Sequence, residues 1–162
     1  MKSKRRKRHD KATMVMNLFP CVDVSVIPCV IYFDGGTSNN IPSRGGFGIG
    51  YGSYRLNGQV VRIDFARPMS ANEAEIRTLI AAAEAAKLIR DPAKTRLCVY
   101  GDSRIALKWA RKAGKRVFYR PKLGWSQGFT AAVADLYACL KPFAEVVTEW
   151  QPRERSVEIF GH

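Results

Sequence analysis

The chain has 162 residues, enough for one domain with a substantial core, and 46% of them are hydrophobic. No apolar run approaches the ~20 residues that a membrane span needs, and the basic N-terminus, "MKSKRRKRHDK", is not followed by the usual core of a signal peptide. Lys and Arg total 27 against 14 Asp and Glu, a formal net charge of +13, so polyanions are the expected partners.

These numbers set the first expectations. The protein should be soluble and cytoplasmic, with no membrane partner, because no basic amphipathic helix is evident. Residues 1–20 read as a basic, disordered arm, and residues 21–162 as a single domain. Cys21, Cys29, Cys98 and Cys139 form no C-x-x-C pair and have no histidine close by, which argues against zinc. A Cys21–Cys29 bridge is compatible with the spacing, but nothing demands it.

The predicted elements follow in chain order. "CVIYFD" is nearly all apolar, as a central strand buried on both faces would be, and it ends on Asp34. "GFGIGYGSYRL" and "VVRIDFARP" alternate as strands, and the Asn57-Gly58 step between them signals a hairpin. "SANEAEIRTLIAAAEAAKLIRDP" is a helix with Ser70 as its N-cap and Pro92 as its stop. "RLCVYGDS" is a fourth strand, again ending on an aspartate, Asp102. "SRIALKWARKAGK" is a second helix and "SQGFTAAVADLYACLK" a third, joined by the basic, aromatic loop "KRVFYRPKLGW". "AEVVTEWQPR" is a fifth strand, and "ERSVEIFGH" starts a last short helix or turn.

The order β-β-β-α-β-α-α-β-α predicts an α/β fold with a five-stranded mixed sheet. Strands 1–3 are joined by hairpins and run antiparallel. Strands 4 and 5 arrive by helical crossovers, parallel to strand 1, and helices flank the sheet.

This topology puts Asp34 and Asp102 at the carboxyl ends of two strands expected to be neighbours, where ligands gather in such sheets. A helix running back over the first strand would lower Glu75 onto them. Three converging carboxylates repel one another, and divalent cations relieve that repulsion. Oxygen-only ligation suits Mg²⁺ or Mn²⁺.

The set "FDGG", "NEAE" and "YGDS", in that order and on those elements, resembles the ribonuclease H family, type-one class. The likeness runs from about Cys29 to Arg155. It implies a ribonuclease H-like fold and an endonuclease that hydrolyses the RNA strand of RNA–DNA hybrids. It also implies Asp34, Glu75 and Asp102 as ligands of two Mg²⁺ or Mn²⁺ ions in a two-metal-ion mechanism. The expected partner is the hybrid, with no small-molecule cofactor, and the expected state is a monomer.

Further positions follow from the same resemblance. Gly35 and Gly36 would let backbone approach the RNA strand, with Asn40 and Asn72 contacting nucleic acid. Ser70 matches a residue that helps hold a DNA phosphate, and Ser103 follows the aspartate as in the family pattern. Arg104 stands where a glutamine is frequent. The stretch from Arg111 to Trp125 resembles a basic protrusion that grips the DNA strand. There Lys112, Lys115, Arg116, Arg120 and Lys122 interleave with Phe118, Tyr119 and Trp125. Trp109 reads as a core residue.

The match weakens at the end of the chain. The family's fourth carboxylate lies four residues after an asparagine on the last helix. Here Ser156 replaces the asparagine and Phe160 falls on the ligand position. Two residues are candidates to substitute. His162 is the first, as metal ligand or proton shuttle. Glu158 is the second, if the helix starts in a shifted register. Two other functions fit parts of the pattern: a nuclease of the same fold acting on structured DNA, and a hybrid-binding module without activity.

Overall fold

The computed structural model describes residues 25–38 and 47–161. The basic arm of residues 1–20, Cys21, Asn40 and His162 lie outside the described residues.

Five strands form one sheet in the order β3-β2-β1-β4-β5. They are β1 (Ile27–Ser38), β2 (Gly48–Leu56), β3 (Gln59–Met69), β4 (Thr95–Gly101) and β5 (Glu145–Trp150). Strands β1, β2 and β3 are antiparallel neighbours, and β4 and β5 run parallel to β1. The helices are α1 (Ala71–Ile89), α2 (Arg104–Gly114), α3 (Gln127–Leu140) and α4 (Arg153–Phe160). The element order and strand directions match the expectation. None of the helices is long and apolar enough to cross a membrane.

Local chemistry accounts for the boundaries. Asn57 and Gly58, at φ 52° and 78°, form the two-residue turn that closes Leu56 onto Gln59. Both turn positions need positive φ, which Asn tolerates and Gly adopts freely. Ser70, Ser103 and Ser126 each cap a helix, their hydroxyls accepting from the backbone N–H of Glu73, Ala106 and Phe129. The last element, expected as a helix or a turn, is the helix α4, and Gly161 ends it at φ 78°.

One strand is longer than the sequence suggests. β1 continues past Asp34 through Gly35–Ser38, whose poor strand propensity is overridden by pairing with β2 from Gly52 to Ile49.

The core lies between the sheet and helices α1–α3. Ile31 and Phe33 of β1 and Leu97 and Val99 of β4 are buried, as are Ile76 and Leu79 of α1 and Val133 and Leu136 of α3. The alternation of a strand gives the neighbours of these residues the opposite direction. Tyr32 and Tyr100 therefore share the other face, where their rings stack 5.1 Å apart. Asp34 and Asp102, each two residues further on, are in phase with them. Tyr32 is the register partner of Tyr100, so extending that register by two residues sets Asp34 level with Asp102.

Candidate active site

The end of the β1–β4 pairing and the first turns of α1 bring three carboxylates together. One oxygen from each of Asp34, Glu75 and Asp102 lies within 4.8 Å of the others. Among the described residues this is the one group of three or more acidic, histidine or cysteine side chains placed to hold a metal ion.

The approach of α1 depends on Gly35. A Cβ there would lie 2.8 Å from the Glu75 backbone N and Cα. Real Cβ atoms do not come that close, so a larger residue would push the helix away. The tight helix–strand contact is thus reason enough for this glycine, whatever it offers a substrate. At Gly36 a Cβ would stand 2.9 Å from the Tyr51 hydroxyl.

Glu75 is held in electrostatic conflict. Burial, then the charges of Asp34 and Asp102, push its carboxyl up to about 9. The backbone N–H of Gly35, which donates to the carboxylate, and the nearby Arg153 act the other way but do not offset this. Its Oε2 is sealed from solvent and has no hydrogen-bond partner among the described residues. A buried, unpartnered carboxylate oxygen facing two more carboxylates is what a hard cation would satisfy, so the donor set fits a divalent metal ion.

Asp102 is braced from behind. The Trp150 indole N–H donates to its carbonyl at 3.0 Å, and Gln151 N–H donates to the Gly101 carbonyl at 2.8 Å. The start of α1 is fixed by Glu73, a buried acid that accepts from Arg67 of β3 at 2.5 Å and lies 3.7 Å from Arg77. Arg77 in turn reaches Asp135 of α3 at 2.5 Å.

A groove of about 500 Å³ runs between the start of α1, α2 and the loop before α3. The start of α1 contributes Ser70 and Asn72, and α2 contributes Ile105, Lys108 and Trp109. The loop before α3 contributes Lys122, Gly124, Trp125 and Ser126. Trp109 is buried and meets Trp125 edge-on at 5.3 Å, so these rings form the floor that joins α2 to the loop.

No family profile matches the sequence, and no curated protein matches it. Solved structures do. The ribonuclease H1 of Halobacterium salinarum superposes with a TM-score of 0.57 at 20% identity, over 79% of this chain and 88% of that one. The N-terminal RNase H domain of a Mycobacterium tuberculosis protein gives 0.60 at 21% identity, over 82% and 87%. A foamy viral protease–reverse transcriptase, solved with an RNA/DNA hybrid, gives 0.58 at 13% identity, over 97% of this chain and 21% of that one. The chain has the ribonuclease H fold.

On this ribonuclease H fold the predicted site residues separate into groups. Asp34, Glu75 and Asp102 converge. Ser70, Asn72, Lys122 and Trp125 share the groove, while Ser103 caps α2 directly after Asp102. Lys112 stands 4.9 Å over the Trp109 ring, and Lys115, Arg116 and Arg120 are exposed outside the groove. Tyr119, which looked available to substrate, is wedged between Trp109 and Tyr137 and anchors its loop instead.

Glu158 does not reach the cluster. It is exposed on α4 and pairs with Arg155 at 2.6 Å, because the two are three residues apart on one helix face. Phe160 is buried, and its carbonyl accepts from Arg62 at 2.9 Å. The sequence reading missed Lys108, Trp150 and Glu73. Lys108 could have been found from its four-residue spacing to Arg104 and Lys112. Trp150 and Glu73 act through contacts between elements far apart in the chain, which leave no local signal.

Proposed function

We propose that this protein is a metal-dependent endonuclease that hydrolyses the RNA strand of RNA–DNA hybrids. The observation that carries the reading is the convergence of Asp34, Glu75 and Asp102 where the β1–β4 pairing of a ribonuclease H fold ends, with one Glu75 oxygen sealed and unpartnered. The similar solved structures add support, since two are ribonucleases H and the viral one holds an RNA/DNA hybrid.

Asp34, Glu75 and Asp102 would hold two divalent ions, Mg²⁺ or Mn²⁺. Such ions, when bound, acidify an attacking water and stabilise the leaving 3′-oxygen of the phosphodiester. The chain's own groups do the rest. Ser70, Asn72 and Lys122 line the groove as donors for phosphates of the DNA strand, with Trp125 as an apolar wall for its sugars. Gly35, which lets α1 sit close, and Gly36, packed on Tyr51, shape the edge of the cluster at the point where a 2′-hydroxyl of the RNA strand would be read. Trp150, through the Asp102 carbonyl, holds that ligand's backbone in position.

We assign the fourth ligand position, or a proton-carrying role beside it, to His162. The support is its place in the sequence, two residues beyond the buried Phe160, together with the engagement of Glu158 by Arg155.

Cleavage of an end-labelled hybrid with Mg²⁺, Mn²⁺ or EDTA tests the reading. Wild type should cut the RNA strand only with metal and leave a DNA duplex intact. Asp34→Asn should lose at least about a hundredfold in rate, since a ligand oxygen is replaced by a neutral amide. His162→Ala should cut more slowly, with a changed preference between the two metals. Tight hybrid binding without cleavage in either metal would overturn the reading.

A further inference from the structure

A second depression, of about 340 Å³, lies between α2 and β5, lined by Arg104, Leu107, Lys108, Arg111, Thr148 and Trp150. Arg104, Lys108 and Arg111 fall at i, i+4 and i+7, on one helix face. Among the described residues none of the three has a carboxylate within ion-pair distance. The facing strand adds no acid either. Thr148 and Trp150 point into the depression, while Glu149 between them acts on Tyr100, on the other face of the sheet.

Three cations and a hydroxyl, with no counter-charge among the described residues, form an anion site, and the Trp150 ring, whose N–H is given to the Asp102 carbonyl, supports it as a platform. Arg104 is already ordered there, its guanidinium 5.1 Å over the half-exposed Trp150 ring, so less side-chain entropy is lost when it engages a ligand. From Arg104 to Arg111 the row spans roughly 10 Å along the helix, longer than one phosphate can satisfy. Lys108 also lines the groove described above, so one basic surface passes from the groove over α2 to the edge strand.

We infer that the α2–β5 depression is a second phosphate-binding subsite, which receives the DNA strand as it leaves the groove past Lys108. The inference rests on the hybrid-nuclease reading. Its consequence is that a hybrid whose DNA strand continues as a single-stranded extension binds more tightly than a blunt one.

Binding is measured by fluorescence anisotropy in the Asp34→Asn background with Mg²⁺, so that the substrate persists. The substrates are a blunt hybrid and two hybrids with the DNA strand extended at the 5′ or the 3′ end. One extension should tighten binding about fivefold and steepen the salt dependence by roughly one to two units, at about 0.7 per single-strand phosphate engaged. Arg111→Ala, and more fully Arg104→Ala with Arg111→Ala, should bring the extended hybrid back to the blunt value at an unchanged melting temperature. If neither extension tightens binding, or if the gain survives the double substitution, the subsite is overturned while the nuclease reading stands. If no hybrid binds and wild type cuts none, both fail together.

Discussion

Burial and the charges of Asp34 and Asp102 hold the Glu75 carboxyl at about 9, against an ordinary 4.5. Below pH 4.5 the group is protonated in the folded and the unfolded chain alike. Between pH 4.5 and 9 the folded chain keeps a proton that the unfolded chain has lost. Stability falls with pH wherever the folded state binds more protons, so the metal-free protein should weaken across that window. The urea midpoint in EDTA is expected to drop steadily from pH 5 to pH 9. Glu75→Gln, which has no such proton to lose, should show a much flatter profile and be the more stable protein at pH 8. Millimolar Mg²⁺ binds the ionised carboxylates of the folded chain alone and should restore the wild type at high pH. Identical pH profiles for wild type and Glu75→Gln in EDTA would show that the three carboxylates are not in conflict.

The elements carry the site through a few contacts that cross between them. α1 must start at one height over β1 for Glu75 to reach the aspartates, and Gly35 and Glu73 set that height from two sides. Gly35 removes the Cβ that would lift the helix, and Glu73 ties its first turn to Arg67 of β3 and Arg77 of α1. Arg67 is half-exposed and Arg77 keeps Asp135, so neither cation is stranded, and Glu73→Ala should cost about 1.5 kcal/mol in urea unfolding through the lost charged hydrogen bond. Because it also frees the first turn, metal affinity measured by calorimetry should fall, with Glu73→Gln recovering part of both losses. An unfolding midpoint within error of wild type would remove Glu73 from this role. From sequence alone Glu73 is assigned no role, because an acid in a first helical turn is ordinary and favours the dipole. Nothing local distinguishes a buried acid from an exposed one there, since its partners come from β3 and the next helical turn. The strands and helices were legible for the opposite reason. Alternation, the Asn57-Gly58 turn and the serine caps are all local patterns, and the three carboxylates were legible because each sits in a short recognisable motif, "FDGG", "NEAE" or "YGDS". Residues 35–38 were not, because their strand character comes from pairing with β2. Nor was the role of Trp150, whose hydrogen bond to Asp102 spans 48 residues.

At the scale of the molecule, charge governs how a polyanion is met. Seven of the 27 basic residues fall before residue 12, against a single acid, Asp10. The rest of the excess includes the groove and the row along α2. These two sources of charge predict different behaviour. The groove and the acidic cluster fix where a hybrid sits, so they set the rate of cleavage once it is bound. The N-terminal cations, seven within eleven residues, add attraction that falls as salt releases no further counterions. Deleting residues 1–20 should therefore flatten the salt dependence of hybrid binding, by as much as about 0.9 per phosphate no longer neutralised. Affinity should drop on the order of tenfold or more at 50 mM salt and converge with the full chain above roughly 300 mM. The cleavage rate at saturating hybrid should stay within about twofold, because the carboxylates and the groove are untouched. Anisotropy titrations across salt, paired with single-turnover cleavage, separate the two effects. A truncated chain with an unchanged salt slope would place the whole electrostatic contact on the folded domain, and a truncated chain that binds normally but cuts slowly would make the N-terminal residues part of the site itself.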